Sequence, residues 1–297
     1  MIKIKPKVIV IVGPTASGKS DLAIKLAQKL NGEIISADSR QVYRGMDIGT
    51  GKVSKKEQRL VPHYLLDVTN PKNIFTVAQF KKLGQRAIKD ISKRKKLPII
   101  IGGTGQYIDT LIYDMALPEV PPNYKLRAKL EKQSPKQLFA RLQKLDPERA
   151  RNIDRHNPRR LIRALEIIIA TGQPVGLISK KSPYEILWFG LHPKDLNKII
   201  AKRLAARFHQ GLIAEIKKLH ANGVSWQRLY DLGLEYRWIG QYLQSKITKE
   251  EMRLGLEQAI RQYAKRQMTW FKRNRKIRWI KNRAEAMRLG RVFLSTL

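Results

Sequence analysis

The 297-residue chain predicts an α/β fold, with a P-loop parallel sheet core, an inserted helical domain and a helical C-terminal part. Three observations carry this prediction. In the first third, short β-branched apolar runs alternate with segments of helical period, the pattern of parallel strands joined by crossover helices. From Lys125 to about Ser179 the pattern is helical and charged, with no convincing strand. The apolar run "EILWFGL", Glu185 to Leu191, then returns as one more strand between Pro183 and Pro193.

Taken in order, Val8 to Val12 is the first strand, and it runs into Gly13-Pro14-Thr15-Ala16-Ser17-Gly18-Lys19-Ser20. Apolar residues at helical spacing follow from Ser20 to Leu30. Strand, glycine-bounded loop and helix together make a phosphate cradle. Its backbone amides and the helix N-terminus hold anionic oxygens, Lys19 offsets their charge, and Ser20 offers a hydroxyl to a magnesium ion. Glu33 to Ala37 is the second strand, Thr76 to Arg94 a helix and Pro98 to Ile101 a further strand. Gly102-Gly103-Thr104 then leads into a helix running to about Met115. Three prolines between Leu117 and Asn123 mark a boundary, and Thr171-Gly172-Gln173-Pro174 is a helix stop. The expected division is a core of residues 1–117 and 184–297, with residues 118–183 inserted as a helical domain.

The totals narrow the function classes. There is no cysteine, which excludes a disulfide framework and thiolate metal sites. No apolar stretch approaches the roughly 20 residues that span a bilayer, so no membrane association and a cytoplasmic location are expected. Sixty Lys and Arg against 24 Asp and Glu give a net charge of +36, which points to a polyanionic partner or, more plainly, to solubilising charge. From Arg261 onward twelve basic residues stand against one acid, Glu285, interleaved with Tyr263, Trp270, Phe271 and Trp279. Such mixtures suit phosphate backbones and stacked bases, although Trp270 and Phe271 also read as core.

Asp38 ends the strand "EIISAD", and in a parallel sheet the strand ends share one crevice with the phosphate loop. A carboxylate there can accept a proton from a nucleophile attacking what the loop holds; it can also simply cap a turn with Ser39. Gly102-Gly103-Thr104 ends a strand at the same edge, where glycine permits close backbone approach and Thr104 offers a hydroxyl. The metal-holding acid usual in nucleoside triphosphatases is missing after Ile101, and Asp67 in "HYLLDV" is a weak substitute. The five histidines show no ligand spacing.

The segments "GPTASGKSDLA", "ISADSRQVYRGMDIGTGK", "PHYLLDV", "IIIGGTGQYI", "NPRRLIRALE" and "RQYAKRQMTWF" occur in this order from near Val8 to about Trp279. Together they resemble the bacterial tRNA dimethylallyltransferases, also called tRNA isopentenyltransferases. The resemblance implies transfer of a dimethylallyl group from dimethylallyl diphosphate to N6 of the adenosine just 3′ of the anticodon, in tRNAs reading codons that begin with U. It implies that Gly13 and Thr15, Ala16, Ser17, Gly18, Lys19 and Ser20 hold the diphosphate, with Ser20 on Mg2+. It makes Asp38 the general base, places Thr104 beside the adenine and sets Arg237 at the diphosphate. It assigns the tRNA anticodon stem-loop to Asp38, Ser39, Arg40, Gln41, Thr104, Arg127, Arg159, Arg160, Leu161, Ile162 and Arg163, and the simplest expectation is a monomer. On spacing alone, Arg160 and Arg163 share a helix face while Leu161 and Ile162 pack inward.

"TGKV" at Thr50 to Val53, "GLEYR" around Arg237 and "GQPVGLIS" at Gly172 to Ser179 depart from the family pattern. The rival reading is a P-loop kinase of a nucleoside or other small molecule, with Asp38 activating a hydroxyl toward ATP. A basic C-terminal segment and the arginines of "NPRRLIRAL" have no task in such a kinase.

Overall fold

The computed structural model describes residues 5–118, 120–175 and 181–295. It divides into two compact units, residues 1–114 with 182–297 and residues 115–181, against the expected boundaries after 117 and before 184.

The larger unit is built on one six-stranded sheet. Its strands are β1 (Lys7–Val12), β2 (Gly32–Ser36), β3 (His63–Tyr64), β4 (Leu97–Gly102), β5 (Glu185–Gly190) and β6 (Arg278–Trp279), in the spatial order β3-β2-β4-β1-β5-β6. Every pairing is parallel. β1 reads as an unbroken apolar run because helices cover both faces of a parallel sheet. Val8, Val10 and Val12 pack with Phe80, Ile88, Ile108 and Leu111 on one face, while Ile9 and Ile11 pack with Leu22, Leu26 and Ala286 on the other. Helices α1 (Lys19–Lys29), α2 (Lys55–Leu60) and α3 (Val77–Lys93) connect the first four strands, and α4 (Gly105–Ile112) follows β4.

Three elements lie outside the sequence expectation. β3 and β6 span two residues each, too short for any periodicity to show. Helix α2 opens on a capping box in which Ser54 accepts the Glu57 amide and Glu57 reaches back to the Ser54 amide; that Ser-x-x-Glu spacing was the available signal.

The smaller unit holds α5 (Tyr124–Leu130), α6 (Pro135–Leu145), α7 (Pro147–Asn152) and α8 (Pro158–Thr171). Leu130, Leu138, Leu142, Leu161 and Leu165 form its core. Gly172 ends α8 in the left-handed conformation, φ 67°, and the helical run expected to reach Ser179 passes outside the described residues at 176–179.

Back in the larger unit come α9 (Leu196–His209), α10 (Leu212–Ala221), α11 (Trp226–Leu232), α12 (Leu234–Leu243), α13 (Lys249–Phe271) and α14 (Arg283–Ser295). Helices α9 to α13 share a third core with Val42, Tyr43 and Met46. The basic C-terminal segment is part of the fold rather than an appendage. In α14, Ala286 joins the core beside α1, Gly290 sits against Leu30 and Arg283 pairs with Asp21. Phe271 is buried, and the Trp270 indole donates to Asp109 at 2.9 Å.

Candidate active site

The register brings three strand ends level. Val12 of β1 lies opposite Gly102 of β4, and Ser36 of β2 lies opposite Ile101. The loops after β1, β4 and β2 therefore emerge side by side, and they carry Lys19, Thr104 and Asp38 respectively. β2 and β4 approach so closely that a Cβ on Gly102 would lie 2.1 Å from the Ala37 carbonyl oxygen. Only glycine fits there.

The phosphate loop turns through positive φ at Ala16 (64°) and Gly18 (85°) before α1 begins. No side chain caps the N-terminus of α1, so its first amides are available to an anion. Lys19 reaches back across the loop, donating from Nζ to the Pro14 carbonyl at 2.6 Å and to Ser17 Oγ at 3.4 Å. Partial burial lowers the Lys19 ammonium to about 8, with the Asp38 carboxylate pulling it up and Arg203 pushing it down. The Thr15 amide, by contrast, donates to Gln267 Oε1 at 2.8 Å. The amides open to an anion thus begin after Thr15.

Asp38 Oδ1 accepts the amides of Arg40 at 2.8 Å and Gln41 at 3.3 Å, a tight turn that fixes the carboxylate. Thr104 Oγ1 accepts the Ser39 amide at 3.1 Å. Tyr263 of α13 lies near Thr104, and burial, together with the Asp38 charge, pushes its phenol up to about 12. Arg40 is drawn away from Asp38, its Nε donating to the Leu232 carbonyl at 2.7 Å, and the Gln41 side-chain oxygen accepts from Ser36 Oγ at 2.9 Å.

Sequence reasoning missed the neighbours supplied by the late helices. Arg203 and Arg207 on α9 lie against the loop at Gly51, and Arg207 donates to the Gly49 carbonyl at 3.1 Å and to buried Glu235 at 2.8 Å. Glu215 accepts the amides of Asp47, Ile48 and Gly49 at 2.9, 2.6 and 3.1 Å, holding the "MDIGTGK" loop in place. No motif announces these residues; they lie more than 150 positions beyond the loops they touch. Gln267 did stand within "RQYAKRQMTWF", but the charges around it drew the reading.

Arg237 makes contacts with α11. Its Nε donates to the Tyr230 carbonyl at 3.0 Å and its guanidinium lies 4.2 Å from the Tyr230 ring centre. These contacts tie α12 to α11; Arg203 is a cation that bears on Lys19. Asp67 is likewise committed, to Lys52 at 2.6 Å.

In the smaller unit the run 159–163 divides by side. Leu161 (0% exposed) and Ile162 (5% exposed) lie in the helical core and cannot touch RNA through their side chains, a correction to the contiguous assignment. Arg127 and Arg163 both grip Glu166, at 2.8 and 2.5 Å. Burial alone would raise the Glu166 carboxyl, but the two arginines and the Asn123 amide bring it down to about 2. Arg159 and Arg160 are exposed.

A family model described as IPP transferase matches residues 41–274. The chain belongs to the IPP transferase family. It is 42% identical over 280 residues to the tRNA dimethylallyltransferase of Anoxybacillus flavithermus, covering 92% of this chain and 89% of that one. The full-length tRNA isopentenylpyrophosphate transferase structure from Bacillus halodurans matches with a TM-score of 0.73 and 37% identity, covering 98% and 96% of the two chains. A eukaryotic dimethylallyltransferase, captured acting on tRNA, matches with a TM-score of 0.76 and 30% identity over 90% of this chain and 70% of that one. Among the described residues no helix is long and apolar enough to cross a membrane, and no group of three or more His, Asp or Glu side chains could hold a metal ion.

Proposed function

We propose that this chain transfers a dimethylallyl group from dimethylallyl diphosphate to N6 of the adenosine immediately 3′ of the anticodon, in tRNAs reading codons that begin with U, and releases diphosphate. The observation that carries the reading is the meeting of Asp38, Thr104 and the phosphate loop at one sheet edge, within a family whose relatives bear the name tRNA dimethylallyltransferase.

In this reaction the adenine N6 lone pair attacks C1 of the allyl group, the C1–O bond breaks and its electrons leave with the diphosphate. The amides from Ala16 to Ser20, Lys19 and Arg203 face the charge that develops on the leaving oxygen, where electrostatic stabilisation acts most strongly. Asp38, its turn fixed through Oδ1, takes the proton that N6 loses. Thr104, bonded to the Ser39 amide, lies beside the base. The adenine leaves the anticodon loop to reach this crevice, at a cost of a few kcal/mol.

The Ser20 hydroxyl, with no carboxylate cluster among the described residues, suits a magnesium ion that arrives on the diphosphate and keeps most of its water, rather than an all-protein cage. When bound, that ion would neutralise diphosphate charge. Arg159 and Arg160, with the exposed basic residues after α13, supply the phosphate contacts to the anticodon stem-loop. The enzyme acts as a cytoplasmic monomer.

The test is to incubate unmodified tRNA with dimethylallyl diphosphate and Mg2+, digest to nucleosides and weigh them. Dimethylallyl-adenosine formed without ATP is the expected result. No such product, with phosphate released from ATP in a parallel reaction, would establish the kinase reading instead.

A further inference from the structure

The ladder between β1 and β4 ends at Val12 opposite Gly102. Beyond that rung the two chains part, one into the phosphate loop and the other into the turn that carries Thr104. Gln267, on α13 and only 5% exposed, spans the gap: it accepts the Thr15 amide on Oε1 at 2.8 Å and donates from Nε2 to the Gly103 carbonyl at 2.9 Å. One backbone donor and one backbone acceptor fix which end of the amide is which. The side chain therefore stands in for a missing peptide unit between the strands.

The fit is close. A Cβ on Gly103 would lie 2.0 Å from Gln267 Nε2, so residue 103 has no side chain because the amide occupies that space. One helical turn earlier on the same face, Tyr263 lies near Thr104. Through Gln267, helix α13 thus holds the β4 turn and one shoulder of the phosphate loop. An apolar side chain of the same length would fill the space without two buried polar groups to satisfy. The amide is explained by what it joins.

We infer that Gln267 is a positioning residue for the transfer reaction, setting the separation between the loop that holds the diphosphate and the turn that carries the adenine-side hydroxyl. This rests on the reaction proposed above. Rate in a two-substrate transfer depends steeply on the distance between reacting atoms, and a misplacement of about 1 Å costs roughly 10²-fold. Each substrate binds one loop only, so widening the gap weakens neither binding step.

The test compares wild type with Gln267→Met, which removes both hydrogen bonds at similar volume, and Gln267→Glu, which keeps the acceptor for Thr15 and loses the donor to Gly103. Steady-state transfer to an anticodon stem-loop RNA is measured alongside separate binding of each substrate and thermal melting. The expected result is a kcat lowered about 10- to 100-fold in the Met variant, with both dissociation constants within about threefold of wild type, and a kcat loss at least as large in the Glu variant, whose carboxylate would face the Gly103 carbonyl. An unchanged kcat, or a loss confined to KM for dimethylallyl diphosphate, would overturn the assignment. So would failure of both variants to fold, which would make Gln267 a residue of stability alone. A wild-type protein that forms no prenylated adenosine would overturn the reaction beneath it as well, and wild-type transfer with undiminished variants only the role of Gln267.

Discussion

Thr104 Oγ1 accepts the backbone amide of Ser39 at 3.1 Å. Through that bond the hydroxyl after β4 and the carboxylate of Asp38 after β2 are held in one frame. The Asp38 turn needs an acceptor at Oδ1, whereas proton transfer needs a carboxylate. The two demands can be separated by substitution.

Asp38→Asn keeps an acceptor for the Arg40 and Gln41 amides and removes the base. Its kcat is expected to fall about 10²-fold or more, with affinity for the anticodon stem-loop nearly unchanged in a filter-binding titration. An equal loss in affinity would recast Asp38 as a binding residue.

Lys19 gives the diphosphate site a pH dependence. Its ammonium titrates at about 8 in the free protein, and a bound diphosphate raises that value by attraction. The lysine contribution to binding is therefore complete below about pH 8 and declines as pH rises through the bound-state value. Competitive inhibition by inorganic diphosphate, followed from pH 7 upward, should weaken above that point. Lys19→Arg, whose charge persists, should flatten the profile.

The two arginines at issue near the diphosphate are separable. Arg203→Ala is expected to raise KM for dimethylallyl diphosphate about 10- to 100-fold, the loss of a charge-assisted contact of about 1.5–3 kcal/mol. Arg237→Ala removes a cation–π contact with Tyr230 worth about 0.5–1 kcal/mol and should leave the same KM within a factor of two or so. A reversed outcome would assign the diphosphate role to Arg237.

Glu166 makes the smaller unit sensitive to acid. Its carboxyl is lowered from 4.5 to about 2. Its stabilisation is present above pH 4.5 and is lost as pH falls through about 2. Glu166→Gln should destabilise by about 2–3 kcal/mol at neutral pH, the low end for a broken buried pair because both arginines are partly exposed. The gap between the two proteins in denaturant titrations should close in acid.

Lys272, Arg273, Arg275, Lys276 and Arg278 are all exposed between the end of α13 and β6. If they meet RNA phosphates, replacing four with Ala reduces the slope of log affinity against log salt by about three. An unaltered slope would assign the segment to solubility alone.

What the sequence disclosed follows from length scale. Apolar, mostly β-branched runs of five and four residues at Val8–Val12 and Pro98–Ile101, and the loop between Gly13 and Ser20, declared the sheet and its phosphate edge because their signals are local. β3 and β6 exist only as partners of longer strands, so nothing local marks them. Arg203, Glu215 and Gln267 are brought to the site by helices packed far along the chain, and pairing at that range leaves no spacing to read. At Leu161 and Ile162 two signals conflicted: helical periodicity pointed inward and the family correspondence pointed to RNA. Packing decided for periodicity.

The interrupted larger unit also has a consequence for synthesis. Residues 115–181 leave the ribosome after β4 but before β5, so all the leucines of the smaller unit's core are present while the sheet still lacks its last two strands. The smaller unit can close on itself at that stage. The face of β1 that β5 will pair with must wait, and so must the side of α1 that α14 covers. The phosphate loop is thus among the first segments made, yet Gln267, which braces the edge it serves, is among the last.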